Sequence, residues 1–276
     1  MNTLCWAYKN IGEYDTGLRY GNAALDLGKK INFSSGIATS YNNIGVIYWN
    51  QGNYDQALEN YFASLKIREA LLKRANRSGN PDEIRKSKMG IAWSYGNIGN
   101  IYDEQGNSDK ALENYFAALK IFKEINDKQR IADSYINIGI IYENKGNDDQ
   151  ALKNYFASIK IYEELGYKYG TAVAYDNIGI IYANQSNYEQ ALNFFFASLK
   201  TKEETGDKQG IAVSFNNIGN VYLHQNKIAE AKKQSLRSLN IANEIGSKDD
   251  IKEAYRSLSL CDSVAGNWEG AYHYHQ

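Results

Sequence analysis

Residues 134–166 read SYINIGIIYENKGNDDQALKNYFASIKIYEELG, and this stretch decides the fold. Apolar side chains recur at helical spacing on both sides of one break, Lys145-Gly146-Asn147, so the stretch reads as two helices joined by a tight turn. Gly146 and Gly166 fall where each helix would end in left-handed backbone, which glycine adopts without a Cβ clash. A lone hairpin of this kind leaves an apolar face that only a neighbouring copy can cover.

The chain supplies the copies. Asn-Ile-Gly occurs at 43–45, 97–99, 137–139, 177–179 and 217–219, with spacings of 54, 40, 40 and 40 residues. Residues 137–166 and 177–206 agree at 18 of 30 positions. The period is therefore 40, with one insertion of 14 between Leu72 and Lys88. Repeats are expected at approximately 1–36, 37–90 (insertion at 73–86), 91–130, 131–170, 171–210, 211–250 and 251–276. Register puts both termini inside a repeat, and no polar capping helix is visible, so an array truncated at both ends is expected.

Stop signals recur at the same register. The first helix of each hairpin ends at Gly12, Gly52, Gly106, Gly146, Asn226 or Gly266, with Ser186 the poor fit, and the second at Asn32, Asn126, Gly166, Gly206 or Gly246. The glycine of Asn-Ile-Gly (Gly45, Gly99, Gly139, Gly179, Gly219) lies within a helix, where it costs about 1 kcal/mol relative to alanine. A repeated cost implies a packing reason. A matching slot in the second helix is always small: Gly17, Ala57, Ala111, Ala151, Ala191, Ala231 and Ala271. The pair of small slots predicts close approach within each hairpin.

Composition agrees and excludes several functions. A chain of 276 residues would carry about 14 prolines at average usage, and this one has only Pro81. The 31 basic and 32 acidic residues leave a net charge of −1, with no global field to attract nucleic acid or an anionic membrane. No apolar run approaches the roughly 20 residues of a membrane span, and MNTLCWAYKN lacks the pattern of a signal peptide. Cytoplasm is the expected compartment, or periplasm if the array belongs to a larger sensor. Two cysteines, Cys5 and Cys261, rule out a disulfide framework or a thiolate zinc site. His273 and His275 are two apart on a helix and so point to different faces, and His224 stands alone. No HExxH, phosphate-cradling loop or nucleophile elbow occurs, so neither a cofactor, a metal nor an enzymatic activity is expected.

The run Tyr41-Asn42-Asn43-Ile44-Gly45-Val46-Ile47-Tyr48, followed by Gly52-Asn53-Tyr54-Asp55-Gln56-Ala57-Leu58-Glu59-Asn60-Tyr61, resembles the tetratricopeptide repeat, with tyrosine in the usual tryptophan slot. The resemblance covers essentially the whole chain. It departs from the family in its period of 40 rather than 34 and in lacking the closing proline of each repeat. A 40-residue period alone would also suit HEAT-type repeats, but those would not need the paired small slots. What the resemblance implies is an all-α superhelical solenoid of antiparallel helix pairs, with a ligand groove lined by the first helices.

Carried over by register, the groove slots are Thr39, Asn42, Val46, Trp49 and Asn50 in the second repeat and Trp93, Gly96, Asn100, Asp103 and Glu104 in the third. The fourth gives Asp133, Ile136, Ile140, Glu143 and Asn144; the fifth Val173, Asp176, Ile180, Ala183 and Asn184; the sixth Val213, Asn216, Asn220, Leu223 and His224. None is basic and five are acidic. The expected partner is a protein or peptide, basic and amphipathic, bound without chemistry. Neither nucleic acid nor direct membrane binding is expected, and self-association through the cut ends of the array is a further expected contact. The alternative is a sensory segment of a larger bacterial signalling protein whose output domain, a cyclase, histidine kinase or transcription regulator, lies outside this chain.

Three further features have competing readings. Seventeen of the 23 tyrosines share four repeat slots, including Tyr61, Tyr115 and Tyr155, which points to packing with hydroxyls at the rim rather than to base stacking. The ladder Asn43, Asn97, Asn137, Asn177 and Asn217 serves inter-helix hydrogen bonding or grips a ligand backbone. In the insertion, Asn80, Pro81 and Glu83 form a helix start, so two lengthened helices and a protruding tip are expected. Its bases Lys73, Arg74, Arg77, Arg85 and Lys86 form a solvated face or a contact knob for an acidic partner or neighbouring domain.

Overall fold

The computed structural model describes residues 1–275, with the side chain of His275 outside the description. Among the described residues there are fourteen helices and no strand. The chain divides into two compact units, Met1–Ile141 and Tyr142–Gln276.

The first unit holds α1 (Asn2–Asn10), α2 (Tyr14–Lys30), α3 (Ser34–Asn50), α4 (Tyr54–Ser78), α5 (Pro81–Glu104), α6 (Ser108–Glu124) and most of α7 (Lys128–Asn144). Hairpins α1/α2, α3/α4 and α5/α6 stack in sequence order, and α1 also meets α3. The second unit holds α8 (Asp148–Leu165), α9 (Lys168–Asn184), α10 (Tyr188–Thr205), α11 (Lys208–His224), α12 (Ile228–Ile245), α13 (Lys248–Val264) and α14 (Trp268–His275). There α9/α10, α11/α12 and α13/α14 form hairpins, α8 packs on α9, and α11 meets α13.

Local chemistry sets the helix ends. Every predicted stop residue has positive φ, from Gly12 at 79° to Asn126 at 53°. Ser186 also adopts 58°, despite lacking glycine's freedom, because the hairpin geometry requires left-handed backbone there. The asparagine after the first-helix stop then caps the next helix: the side chains of Asn107 and Asn147 accept from the backbone N–H of Lys110 and Gln150, each at 3.2 Å. At the insertion, Asn80 accepts from Asp82 N at 3.0 Å and Glu83 N at 3.3 Å, with Pro81 at the first helical position. Here α4 and α5 run 25 and 24 residues, against 17 in α3 and α6, and meet at Gly79 and Asn80.

The core is a repeated contact. Ile98, Ile178 and Ile218, from Asn-Ile-Gly, are buried with Ile47, Ile101 and Ile181. Against the expected pairing of two small slots, the glycine lies mainly beneath an aromatic ring. A Cβ on Gly45 would stand 2.8 Å from the Tyr61 ring and 3.2 Å from the Ala57 carbonyl oxygen; on Gly99 it would stand 2.8 Å from Tyr115, and on Gly179 2.7 Å from Phe195. The alanine slot admits the neighbouring backbone, and the glycine admits the ring four residues later. In the first hairpin the sizes are exchanged, with Cys5 facing Gly21.

A second pairing of large with small joins successive hairpins. Arg68, Tyr162 and Lys202 of second helices pack over Gly90, Gly170 and Gly210 of the following first helix, and at Gly210 Asp207 shares the space. Within hairpins, ion pairs join the N-terminal half of the first helix to the end of the second: Lys88 to Glu124 at 2.8 Å, Lys168 to Glu204 at 2.9 Å, and Lys208 to Glu244. All are at least partly exposed, so each contributes at most about 1 kcal/mol.

Candidate functional site

In the first unit the first helices α3, α5 and α7 line a cavity of about 320 Å³, together with Tyr115, Ala118 and Phe122 of α6. Six expected groove residues meet there: Asn42, Val46, Trp93, Gly96, Asn100 and Asp133. Trp93 keeps 44% of its surface exposed, a large apolar ring unburied beside a concavity. Around it stand amides and hydroxyls, Asn97, Asn100, Ser134 and Asn137 among them.

The polar lining is held in place from behind. Asn97 donates to Asn42 Oδ1 at 3.1 Å, and the buried Tyr115 hydroxyl donates to Asn100 Oδ1 at 2.7 Å. The amide protons of Asn42 and Asn100 remain for a ligand's carbonyl groups. Asp133 pairs with Arg130 at 3.0 Å, so the cavity contains a cation that first-helix slots alone did not reveal.

The other expected residues of this unit are more scattered. Trp49 is half-buried against the core around Tyr61 and Ile98, and the Asn50 amide donates to its own helix at Val46 O. Asp103 is half-buried and Glu104 exposed; burial first, and then the Glu104 charge, push the Asp103 carboxyl above its ordinary range. Ile140 is half-buried.

In the second unit, Asn220 and His224 line a separate depression with Leu223, Arg256 and Leu260, and the His224 ring stacks on Tyr188 at 6.1 Å. Ile180 is 37% exposed, and Asn144 and Asn184 are exposed. Three expected contacts are engaged internally. Glu143 accepts the Tyr155 hydroxyl at 2.7 Å, and burial raises its carboxyl. Asp176 is bound by Lys202 at 2.6 Å, whose ammonium also donates to Ser214 at 2.8 Å. Asn216 is only 6% exposed and accepts from Ser257 at 2.8 Å, which withdraws it from any ligand surface.

Beside the base-free groove slots stand two cations from other positions, Lys202 and Arg130, which pair with Asp176 and Asp133. The tyrosine hydroxyls are also corrected in one slot: Tyr115 and Tyr155 turn inward to Asn100 and Glu143 rather than to the rim. For the asparagine ladder the inter-helix role holds at two rungs, Asn43 donating to Asn2 O at 3.4 Å and Asn97 to Asn42, and Ser257 makes the same bond in the last repeat. Among the described residues no group of three or more metal-ligating side chains occurs, and no helix is long and apolar enough to cross a membrane.

No curated protein matches this chain. Solved structures that it resembles include BtubC (BKLC) from P. vanneervenii, at 21% identity and TM-score 0.65 over 79% of this chain and 88% of that one. A STAND protein with a tetratricopeptide repeat sensor from Pyrococcus horikoshii aligns at 17% identity and TM-score 0.61, covering 86% of this chain and 41% of that one. The quorum sensor NprR from B. thuringiensis aligns at 15% identity and TM-score 0.59, over 99% of this chain and 85% of that one. These likenesses show the fold. Sequence profiles described as tetratricopeptide repeat match residues 2–70 and 130–204, 92–124, and 211–245, and with the hairpins and their small slots in place the chain belongs to the tetratricopeptide repeat family.

Proposed function

We propose that the chain is a non-catalytic module that binds a peptide or helix of a partner protein on the first-helix face, with the cavity around Trp93 as its anchor point. The supporting observation is the half-exposed Trp93 set among amides already oriented by Asn97 and Tyr115. A preformed lining lowers the ordering cost of binding, and an aromatic anchor in a cavity is the usual centre of binding energy. Asp103 and Glu104 at the end of α5 favour a ligand with basic residues beside its apolar anchor.

The test is selection of peptides from a random library on the whole chain, followed by titration against Trp93→Ala. Selected peptides should bind the variant more weakly by about tenfold or more, with helicity unchanged by circular dichroism. Equal affinity for both proteins would remove the groove assignment.

A second reading, a sensory segment of a larger signalling protein, is supported by the likeness to NprR and to the sensor-bearing STAND protein. In that reading the same face binds the signal, and an output domain on the full-length protein reports it.

A further inference from the structure

We propose that the insertion hairpin forms a second docking site, separate from the first-helix face, for an acidic polypeptide segment carrying an apolar side chain. Residues 73–86 contain five basic and two acidic residues, a net +3, in a chain whose total is −1. Of the five bases, Arg85 is committed to the fold: its guanidinium donates to Ile125 O at 2.6 Å, fixing the start of α5 to the end of α6. Lys73, Arg74, Arg77 and Lys86 are exposed and have no ion-pair partner among the described residues. The charge is therefore available and rigidly mounted.

At the base of the hairpin lies a cavity of about 390 Å³. Arg74 and Lys86 stand on it from α4 and α5, with Phe33 and Leu71 supplying apolar surface and Ser34 and Ser35 opening α3. Phe33 is 55% exposed, and as N-cap of α3 it offers no side-chain acceptor, so the positive end of that helix adds to the field of the two bases. A cationic pair beside an exposed ring complements carboxylates flanking an apolar side chain.

The same details weigh against other anionic partners. Glu83 shares the cavity and Asp82 lies beside it, and both would repel a uniformly charged polymer or bilayer. The tip, Asn76-Arg77-Ser78-Gly79-Asn80, has no apolar side chain to enter a membrane, and one phenylalanine is too little for a stacking platform. Hydroxyls and an amide around the rim suit peptide groups.

The experiment uses the full chain and a fluorescein-labelled peptide in which two phenylalanines are set among aspartates and glutamates, followed by anisotropy. Saturable binding is expected, weakening as salt rises from about 50 to 200 mM. The double variant R74E/K86E and the single variant Phe33→Ser should each weaken it by about tenfold or more, whereas Trp93→Ala should leave it unchanged. If circular dichroism shows that R74E/K86E loses helix, the neutral pair Arg74→Gln and Lys86→Gln takes its place and must still weaken binding. Absence of saturable binding, equal affinity in the charge variants, or loss in Trp93→Ala would overturn the assignment. So would tighter binding, dependent on Arg74 and Lys86, of an oligothymidylate or of vesicles containing phosphatidylserine.

Discussion

Two tyrosines in one repeat slot have opposite energetic accounts. The Tyr61 hydroxyl is buried without a partner, because the residues one helix back, Val46 and Trp49, offer no acceptor, while the Tyr115 hydroxyl donates to Asn100. A buried hydroxyl without a partner costs about 1–3 kcal/mol, whereas a satisfied one contributes about 1 kcal/mol. Tyr61→Phe is therefore expected to be neutral or stabilising, and Tyr115→Phe to destabilise by about 1 kcal/mol in urea unfolding. The chain already makes this exchange at Phe195, where Ile180 and Ala183 stand in the corresponding places. Glu143 gives a pH-dependent counterpart. Burial raises its carboxyl above 4.5, which outweighs the Tyr155 hydrogen bond, so the folded state binds its proton more readily than the unfolded state. The associated stability is present below the unfolded pKa and is lost as pH rises through the folded value. Glu143→Gln should keep the Tyr155 bond and raise the melting temperature at about pH 7.5, with the gain shrinking toward pH 4. A gain that is the same at both pH values would show that desolvation of the charge is not the cause.

At the scale of the helix pair, glycine serves two purposes that substitution separates. Gly99→Ala gains about 1 kcal/mol of helix propensity but places a Cβ 2.8 Å from the Tyr115 ring, a clash of the overpacking kind that costs about 1–3 kcal/mol. Net destabilisation is expected. Ser186→Gly should stabilise by about 0.5–1 kcal/mol, since the position is already at φ 58°; paired denaturation curves check both signs. Both positions were legible in the sequence, because a left-handed stop and an in-helix glycine leave signals within one repeat. The partners of Arg68, Tyr162 and Lys202 were not. Their slot changes chemistry in every repeat, and the compensating Gly90, Gly170 and Gly210 lie in the next hairpin, so only the pair carries the pattern. The groove was legible in part for the same reason. Trp93, Asn42 and Asn100 follow from register, but the withdrawal of Asn216 depends on Ser257, 41 residues away, and Lys202 reaches Asp176 from a second helix.

Within each unit, the main helix contacts among the described residues join helices adjacent in sequence, or two apart as for α1/α3 and α11/α13. Stability in such an array is approximately a sum of terms within hairpins and between nearest neighbours. A core defect should therefore stay local. Gly179→Ala is a suitable probe, because its Cβ would stand 2.7 Å from the Phe195 ring at the centre of the α9/α10 hairpin. Native-state hydrogen exchange should show lower protection in α9 and α10, a smaller loss in α8 and α11, and unchanged protection in α1 to α4. The same locality would let the insertion between α4 and α5 lengthen two helices without disturbing later repeats. It would also let Trp93 and Arg74 be altered separately in binding experiments, as the two proposed docking surfaces require. Uniform loss of protection through α1 to α4 in Gly179→Ala would show that the array unfolds as one unit, and single-site effects on either surface would then have to be corrected for global stability.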